Sequence, residues 1–190
     1  MSLRTTVLTL VVVLLLATGA VVYLGLDHRL PVYDPQPGRP LAILEEVPGP
    51  PTGSVCDLDN RYVNENPEGL HPDVLAAWHR LTAAAAAQNV RLCLNDGKRS
   101  NAQQRAEFED AVRKFGTEEL AAKYVLPPER SQHVKGRAVD IQPHSSALWV
   151  ERNAATLGWC RRYDNEYWHF EYDPTYTTTG CPPLLPSATG

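Results

Sequence analysis

The chain changes rhythm three times along its length. Residues 5–26, TTVLTLVVVLLLATGAVVYLGL, contain no charge and present no polar face. As a helix at 1.5 Å per residue such a run is ~33 Å long, enough to cross the core of a bilayer. A transmembrane helix is therefore expected within residues 1–27. The apolar run is longer than the ~7–15 residues of a signal-peptide core, and it continues past the small residues Ala17, Gly19 and Ala20 to Leu26. It fits an uncleaved anchor better than a cleaved signal, and on either reading the rest of the chain is exported. Residues 28–53 break this rhythm: 7 of the 16 prolines fall within 31–53. Proline fixes φ and removes a donor, so this stretch reads as a partly extended linker.

From residue 54 the pattern becomes that of a folded domain, expected to span 54–182 with a short tail at 183–190. Pro72 suits a first helical turn, and Val74, Leu75, Trp78 and Leu81 recur on one face of the segment that follows. The alanine run Ala83 to Ala87 reads as close helix packing. Val90 to Leu94 alternates like a half-buried strand and Asn95-Asp96-Gly97 signals a turn. Ser100 or Asn101 is placed to cap a second helix ending at Phe115-Gly116. Thr117 to Tyr124 predicts a short helix, Arg137 to Gln142 a strand, and Ser145 to Leu157 a serine-capped helix closed by Gly158. Cys160 to Tyr163 and Tyr167 to Tyr172 predict a terminal hairpin. Helices come early and strands late, without βαβ alternation, which favours an α+β fold with a small antiparallel sheet flanked by helices.

Composition adds little to this picture. Hydrophobic residues make up 43% and charged ones 21%, and the net charge is −4. That balance excludes wholesale disorder and gives no electrostatic footprint for nucleic acid. Cys56, Cys93, Cys160 and Cys181 all lie in the exported part and form no CxxC pair, so two disulfides are expected rather than a zinc knuckle. Three pairings are open. Cys56–Cys93 with Cys160–Cys181 is the one we expect, because it ties down both ends of the domain.

Two short segments carry candidate chemistry. In Ser131-Gln132-His133-Val134-Lys135-Gly136-Arg137-Ala138-Val139-Asp140 a glycine turn separates His133 from Asp140. In Asn165-Glu166-Tyr167-Trp168-His169-Phe170-Glu171-Tyr172, His169 and Glu171 share one strand face and Glu166 sits just before the strand. Two histidines and an aspartate are a donor set that suits Zn²⁺, and three protein ligands leave a fourth position for water. A neighbouring glutamate is the base such a water needs. Spacing alone leaves a second reading equally open, in which His169 is a satisfied core residue and Asp140 pairs with Arg137 or Lys135. No HExxH motif is present, which excludes the common zinc-protease layout.

Together the two segments, Ser-x-His-x-x-Gly-x-Ala-x-Asp and Glu-x-Trp-His-Phe-Glu, resemble the D-alanyl-D-alanine carboxypeptidase family of zinc peptidases, the vancomycin-resistance type with the hedgehog/DD-peptidase fold. The likeness covers roughly residues 90–172. It implies His133, Asp140 and His169 as zinc ligands and Glu166 as general base. Gly97-Lys98-Arg99-Ser100 with Gln104 resembles the family's upstream motif, with Lys98 where a tyrosine is usual. The resemblance then implies that Arg99 holds a substrate carboxylate, with Gln104 and Ser131 beside it. Peptidoglycan stem peptides are the implied substrates, which lose a C-terminal D-alanine at the outer face of the cell membrane. A same-family endopeptidase and a wall-binding domain that keeps its metal are the alternatives. Glu171 is a candidate for orienting a ligand imidazole, while Tyr167 and Trp168 read as core.

Overall fold

The computed structural model describes residues 53–190. The expected membrane anchor and nearly all of the proline-rich linker lie outside the described residues. Among those residues no helix is long and apolar enough to cross a membrane.

The order of elements is β1 (Gly53–Val55), β2 (Val63–Glu65), a 3-10 turn (Pro67–Gly69), α1 (Pro72–Ala86), β3 (Cys93–Asp96), α2 (Asn101–Phe115) and α3 (Glu118–Ala121). There follow β4 (Ala138–Gln142), α4 (His144–Asn153), a second 3-10 turn (Ala155–Leu157), β5 (Trp159–Arg161), β6 (His169–Tyr172) and α5 (Tyr176–Thr179). The architecture is α+β, as the pattern predicts. An antiparallel sheet in the order β3-β4-β6-β5 forms its centre, and β1 and β2 make a separate hairpin.

Helix α1 buries Val74, Ala77, Trp78, Leu81 and Ala85 against this sheet, the i, i+3, i+4 stripe of an amphipathic helix. Of the five consecutive alanines only Ala85 is buried; the rest contribute helix propensity rather than close packing. Trp159 meets Trp78 edge-on at 6.3 Å and Tyr172 at 5.3 Å, so one indole on the edge strand β5 ties α1 to that edge and to the neighbouring strand β6. Strand β4 is buried along its whole length, as a central strand covered on both faces must be.

Several boundaries differ from the pattern-based expectation. Strand β3 starts at Cys93 and runs through Asn95 and Asp96, where a turn is expected. An irregularity in the register between Leu94 and Asp96 sets Asp96 opposite Asp140. Helix α4 starts at His144 with Pro143 as its cap, and Ser145 makes no capping bond. The proline's fixed φ occupies the cap position, so the helix begins one residue early. This helix also ends at Asn153, and a separate 3-10 turn carries the chain to Gly158 at φ 86°. Strand β6 starts at His169, because Glu166 to Trp168 form a turn in which His169 N–H meets the Glu166 carbonyl at 3.4 Å, while the Trp168 carbonyl still accepts from Ile141 N–H at 2.9 Å.

The β1–β2 hairpin and α5 are absent from the sequence-based expectation. Side-chain amides attach the hairpin to β3: Leu94 N–H donates to Asn64 Oδ1 at 3.0 Å and Val63 N–H to Asn95 Oδ1 at 3.4 Å. Cys56–Cys93 adds a covalent bond at the same seam, and Cys160–Cys181 joins β5 to the C-terminal segment. Both bridges follow the expected pairing.

Candidate metal centre and substrate cleft

Sheet register creates the first half of the site. Asp140 on β4 lies directly opposite His169 on β6, and cross-strand neighbours in an antiparallel pair are close enough for side-chain contact. His133 arrives from the loop before β4. Gly136, at φ 66°, closes that loop with its N–H on the His133 carbonyl at 2.9 Å. A Cβ on Gly136 would meet the His71 backbone nitrogen at 2.8 Å, so the turn requires glycine for both conformation and space.

The result is a triangle of donor atoms. His133 Nε2, Asp140 Oδ1 and His169 Nδ1 lie 3.3, 3.1 and 3.2 Å apart. Three corners of a tetrahedron with bonds of ~2.0–2.1 Å, as in zinc sites, are about 3.3 Å apart. All three residues are at most 7% exposed.

Proton positions sharpen the fit. His133 Nδ1–H donates to the Gly97 carbonyl at 2.8 Å, so a neutral His133 presents a bare Nε2. A neutral His169 that gives its Nε2–H to Glu171 Oε1 at 3.4 Å has a bare Nδ1 as well. Two lone pairs and a carboxylate then converge with nothing but acceptors in the triangle, which calls for a cation. The electrostatics express the same demand. Burial would push the His169 imidazolium down, yet the hydrogen bonds to Asp140 and Glu171 outweigh it and raise the group to about 10. Burial likewise opposes ionisation of Asp140, and the two histidines overcome it and hold its carboxyl far below the usual range. The donor set therefore fits a metal ion of the zinc class.

Glu166 stands beside the triangle, with Oε2 4.0 Å from His169 Nδ1. Its Oε1 is buried and has no hydrogen-bond partner. Burial first, then the nearby Asp140 charge, raises its carboxyl to about 7, against the pull of His169, His133 and Arg99. A carboxyl poised near neutrality can both take and return a proton.

The second half of the site comes from the segment between β3 and α2. Ser100 caps α2 in a full capping box with Gln103, which fixes the direction of Arg99 just before it. Arg99 Nε and Nη2 both donate to Asp96 Oδ2, at 2.9 and 2.7 Å, and Nη1 reaches Gln104 Oε1 and Glu107 Oε2, each at 3.0 Å. Asp140 Oδ2 lies 3.7 Å from Nη2. Like charges directly opposite on neighbouring strands are unfavourable, and Arg99 is what lets Asp96 face Asp140. Gln104 is buried and passes the contact on: its Oε1 accepts from Ser131 Oγ at 2.9 Å while its Nε2–H donates to the Leu126 carbonyl at 2.7 Å.

All seven residues expected at the site, Arg99, Gln104, Ser131, His133, Asp140, Glu166 and His169, line one cleft of about 210 Å³. Lys98 does not; its ammonium bonds the Val134 carbonyl on the neighbouring surface. Trp168, half-buried in the turn before β6, lines the cleft instead of lying wholly in the core. Tyr167 packs against the core and meets His144 edge-on at 4.4 Å. Glu171 accepts from Tyr163 Oη at 3.0 Å as well as facing His169.

Several cleft residues escape the sequence reading, Glu107, Tyr163 and Ala188 among them. Glu107 lies three residues after Gln104 on the same helix, a spacing that places both on one face. Tyr163 stacks on the His169 ring at 5.1 Å, and no local pattern announces it. Ala188 comes from the C-terminal segment.

Comparison with known proteins agrees with this layout. No curated protein matches the chain. Among solved structures, VanYB in complex with D-alanine-D-alanine is 23% identical, with 57% of this chain and 75% of that one covered at a TM-score of 0.52. A mutant of the vancomycin-resistance D,D-pentapeptidase VanY, in complex with Zn(II), is 21% identical over 71% and 90% at 0.51. At these identities the likeness is one of fold. The family model of the VanY D-alanyl-D-alanine carboxypeptidases matches residues 67–175, more than half of the chain and the whole stretch that builds the triangle and the Arg99 cluster. The chain belongs to the VanY D-alanyl-D-alanine carboxypeptidase family.

Proposed function

We propose that the protein is a zinc-dependent D-alanyl-D-alanine carboxypeptidase that removes the C-terminal D-alanine of peptidoglycan stem peptides. The observation that carries this reading is the pairing of the buried donor triangle with the unpartnered Glu166 Oε1 beside it. A site that only held structure would have no use for a buried carboxylate oxygen without a partner.

His133, Asp140 and His169 would hold the ion, which when bound supplies Lewis acidity to the attacking water and to the scissile carbonyl. Glu166 takes a proton from the water as its oxygen adds to the carbonyl carbon. As the C–N bond breaks, Glu166 returns that proton to the leaving amine, giving free D-alanine and a peptide shortened by one residue. Glu171, bonded to Tyr163, keeps the His169 ring in the tautomer that points Nδ1 into the triangle. Arg99 holds the terminal carboxylate through Nη1, for which Glu107 must yield.

The engagement of every Arg99 nitrogen by the protein's own oxygens also supports a second reading. An endopeptidase of the same family would leave Arg99 as a purely internal clamp. We further infer that residues 5–26 tether the domain at the outer face of the cell membrane. The test is to incubate the protein with a muropeptide pentapeptide, with and without a chelator, and to follow products by mass spectrometry. Chelator-sensitive loss of one alanine is expected. Internal fragments would establish the endopeptidase, and no cleavage at all would overturn both enzymatic readings.

A further inference from the structure

The C-terminal segment lies beyond the family-matched residues 67–175, yet it returns to the cleft. Three contacts set its path. Cys181 is bonded to Cys160 on β5. Leu185 then runs parallel to Tyr163, its N–H donating to the Arg162 carbonyl at 3.0 Å and its carbonyl accepting from Asp164 N–H at 2.8 Å. Ser187 is buried, and its Oγ faces Thr189 Oγ1 at 3.1 Å in a turn. This turn delivers Ala188 to the cleft wall, in the same lining as Glu166 and Trp168.

We propose that the segment Leu185–Ala188 is a fixed wall of the substrate cleft, and that Ala188 sets the width available to the bound peptide. The proposal rests on the peptidase reading above. A covalent bond at one end, a two-bond β-bridge in the middle and a buried serine at the turn hold the segment in place, so its last side chain acts as a rigid boundary. Alanine is the smallest side chain among those lining the cleft, and the cleft is only about 210 Å³. A larger side chain at this point takes up space that a peptide would otherwise fill, and acts on binding rather than on the chemical step. Leu184, four residues earlier and 40% exposed, does not line the cleft and gives a matched control.

The segment has a structural alternative. Through its bonds to Arg162 and Asp164 it backs the turn in which Glu166 N–H meets the Tyr163 carbonyl at 3.4 Å, and it could act only by steadying that turn. The two roles move different quantities. A wall changes KM, whereas a prop for Glu166 changes kcat.

The experiment compares the full chain with Ala188→Trp and Leu184→Trp, using a pentapeptide ending in D-Ala-D-Ala, and measures kcat, KM, zinc content and melting temperature. For Ala188→Trp, KM is expected to rise roughly tenfold or more while kcat stays within about twofold. Its zinc content and melting temperature stay unchanged, and Leu184→Trp matches the parent in every measurement. An unchanged KM for Ala188→Trp overturns the proposal, as does a fall in kcat at constant KM, which would mark the prop instead. If the parent protein releases no alanine, the peptidase reading fails. The wall is then judged by the calorimetric Kd of the same peptide, where an unchanged value for Ala188→Trp overturns it.

Discussion

The two halves of the cleft are opposite solutions to burying charge. With both histidines neutral and their N–H groups turned outward, the donor triangle has acceptors in excess: two bare imidazole nitrogens and a carboxylate. The Arg99 cluster has its cation in place, wrapped by Asp96, Gln104 and Glu107. The first half is incomplete without a positive ion, while the second is complete and has to open to receive a ligand. Removing a group from the triangle is therefore expected to cost the most, and removing an acid from the Arg99 side to cost nothing or to help.

The largest effect belongs to the triangle itself. His169→Ala removes a donor and leaves Asp140 with less to offset its burial. Bound zinc and peptide hydrolysis should both fall to background, as measured by metal analysis and product release. A variant that kept a full equivalent of zinc would show that the ion sits elsewhere. Next comes Glu166→Gln, which preserves shape and removes the base. A loss of about 10²–10⁴-fold in kcat is expected, with zinc content unchanged, and near-normal turnover would exclude Glu166 as the base. Glu171→Gln acts one step further out. It weakens the hold on the His169 Nε2–H, so zinc affinity measured against a competing chelator should drop by about 10–100-fold. An unchanged affinity would mean that Tyr163 and the strand alone orient the ring.

The triangle was far more legible in the sequence than the cluster opposite it, for a physical reason. His133, Asp140, Glu166 and His169 sit within two short segments that local rules outline, a glycine turn and an alternating strand with Glu166 just before it, and the family resemblance then decides between metal ligands and core residues. The Arg99 environment depends on the register irregularity between Leu94 and Asp96, which brings Asp96 level with Asp140 and is invisible to alternation counting. The same local rules misplaced the start of α4, since a serine signal loses to a proline that already fixes the cap. They also missed β1 and β2, because a three-residue strand held to its neighbour by asparagine side chains and a disulfide carries almost no hydrophobic period. Ala188 is hidden most deeply, since an alanine in a proline-rich tail becomes a cleft residue only through a long-range bridge to Tyr163.

The smallest expected effect is the one that tests the contrast between the two halves most directly. Glu107 Oε2 sits 3.0 Å from Arg99 Nη1, and its side chain is 43% exposed, so it can swing toward solvent from its place on α2. A substrate carboxylate that uses Nη1 must displace it. Burial raises the Glu107 carboxyl while Arg99 pulls it down, so the carboxylate is a held but partly desolvated competitor. Glu107→Gln keeps the shape and removes the charge. Because partly exposed ion pairs are worth about 0.2–1 kcal/mol, KM for a peptide with a free C-terminal carboxylate should fall by about 1.4- to fivefold at constant kcat. A C-terminally amidated analogue offers no charge to exchange for Glu107, and its affinity should not improve. If KM instead rises for the free-carboxylate peptide, Glu107 is a support that aims Arg99 rather than a competitor for it. The two halves of the cleft would then follow the same logic, with every charge needed where it stands.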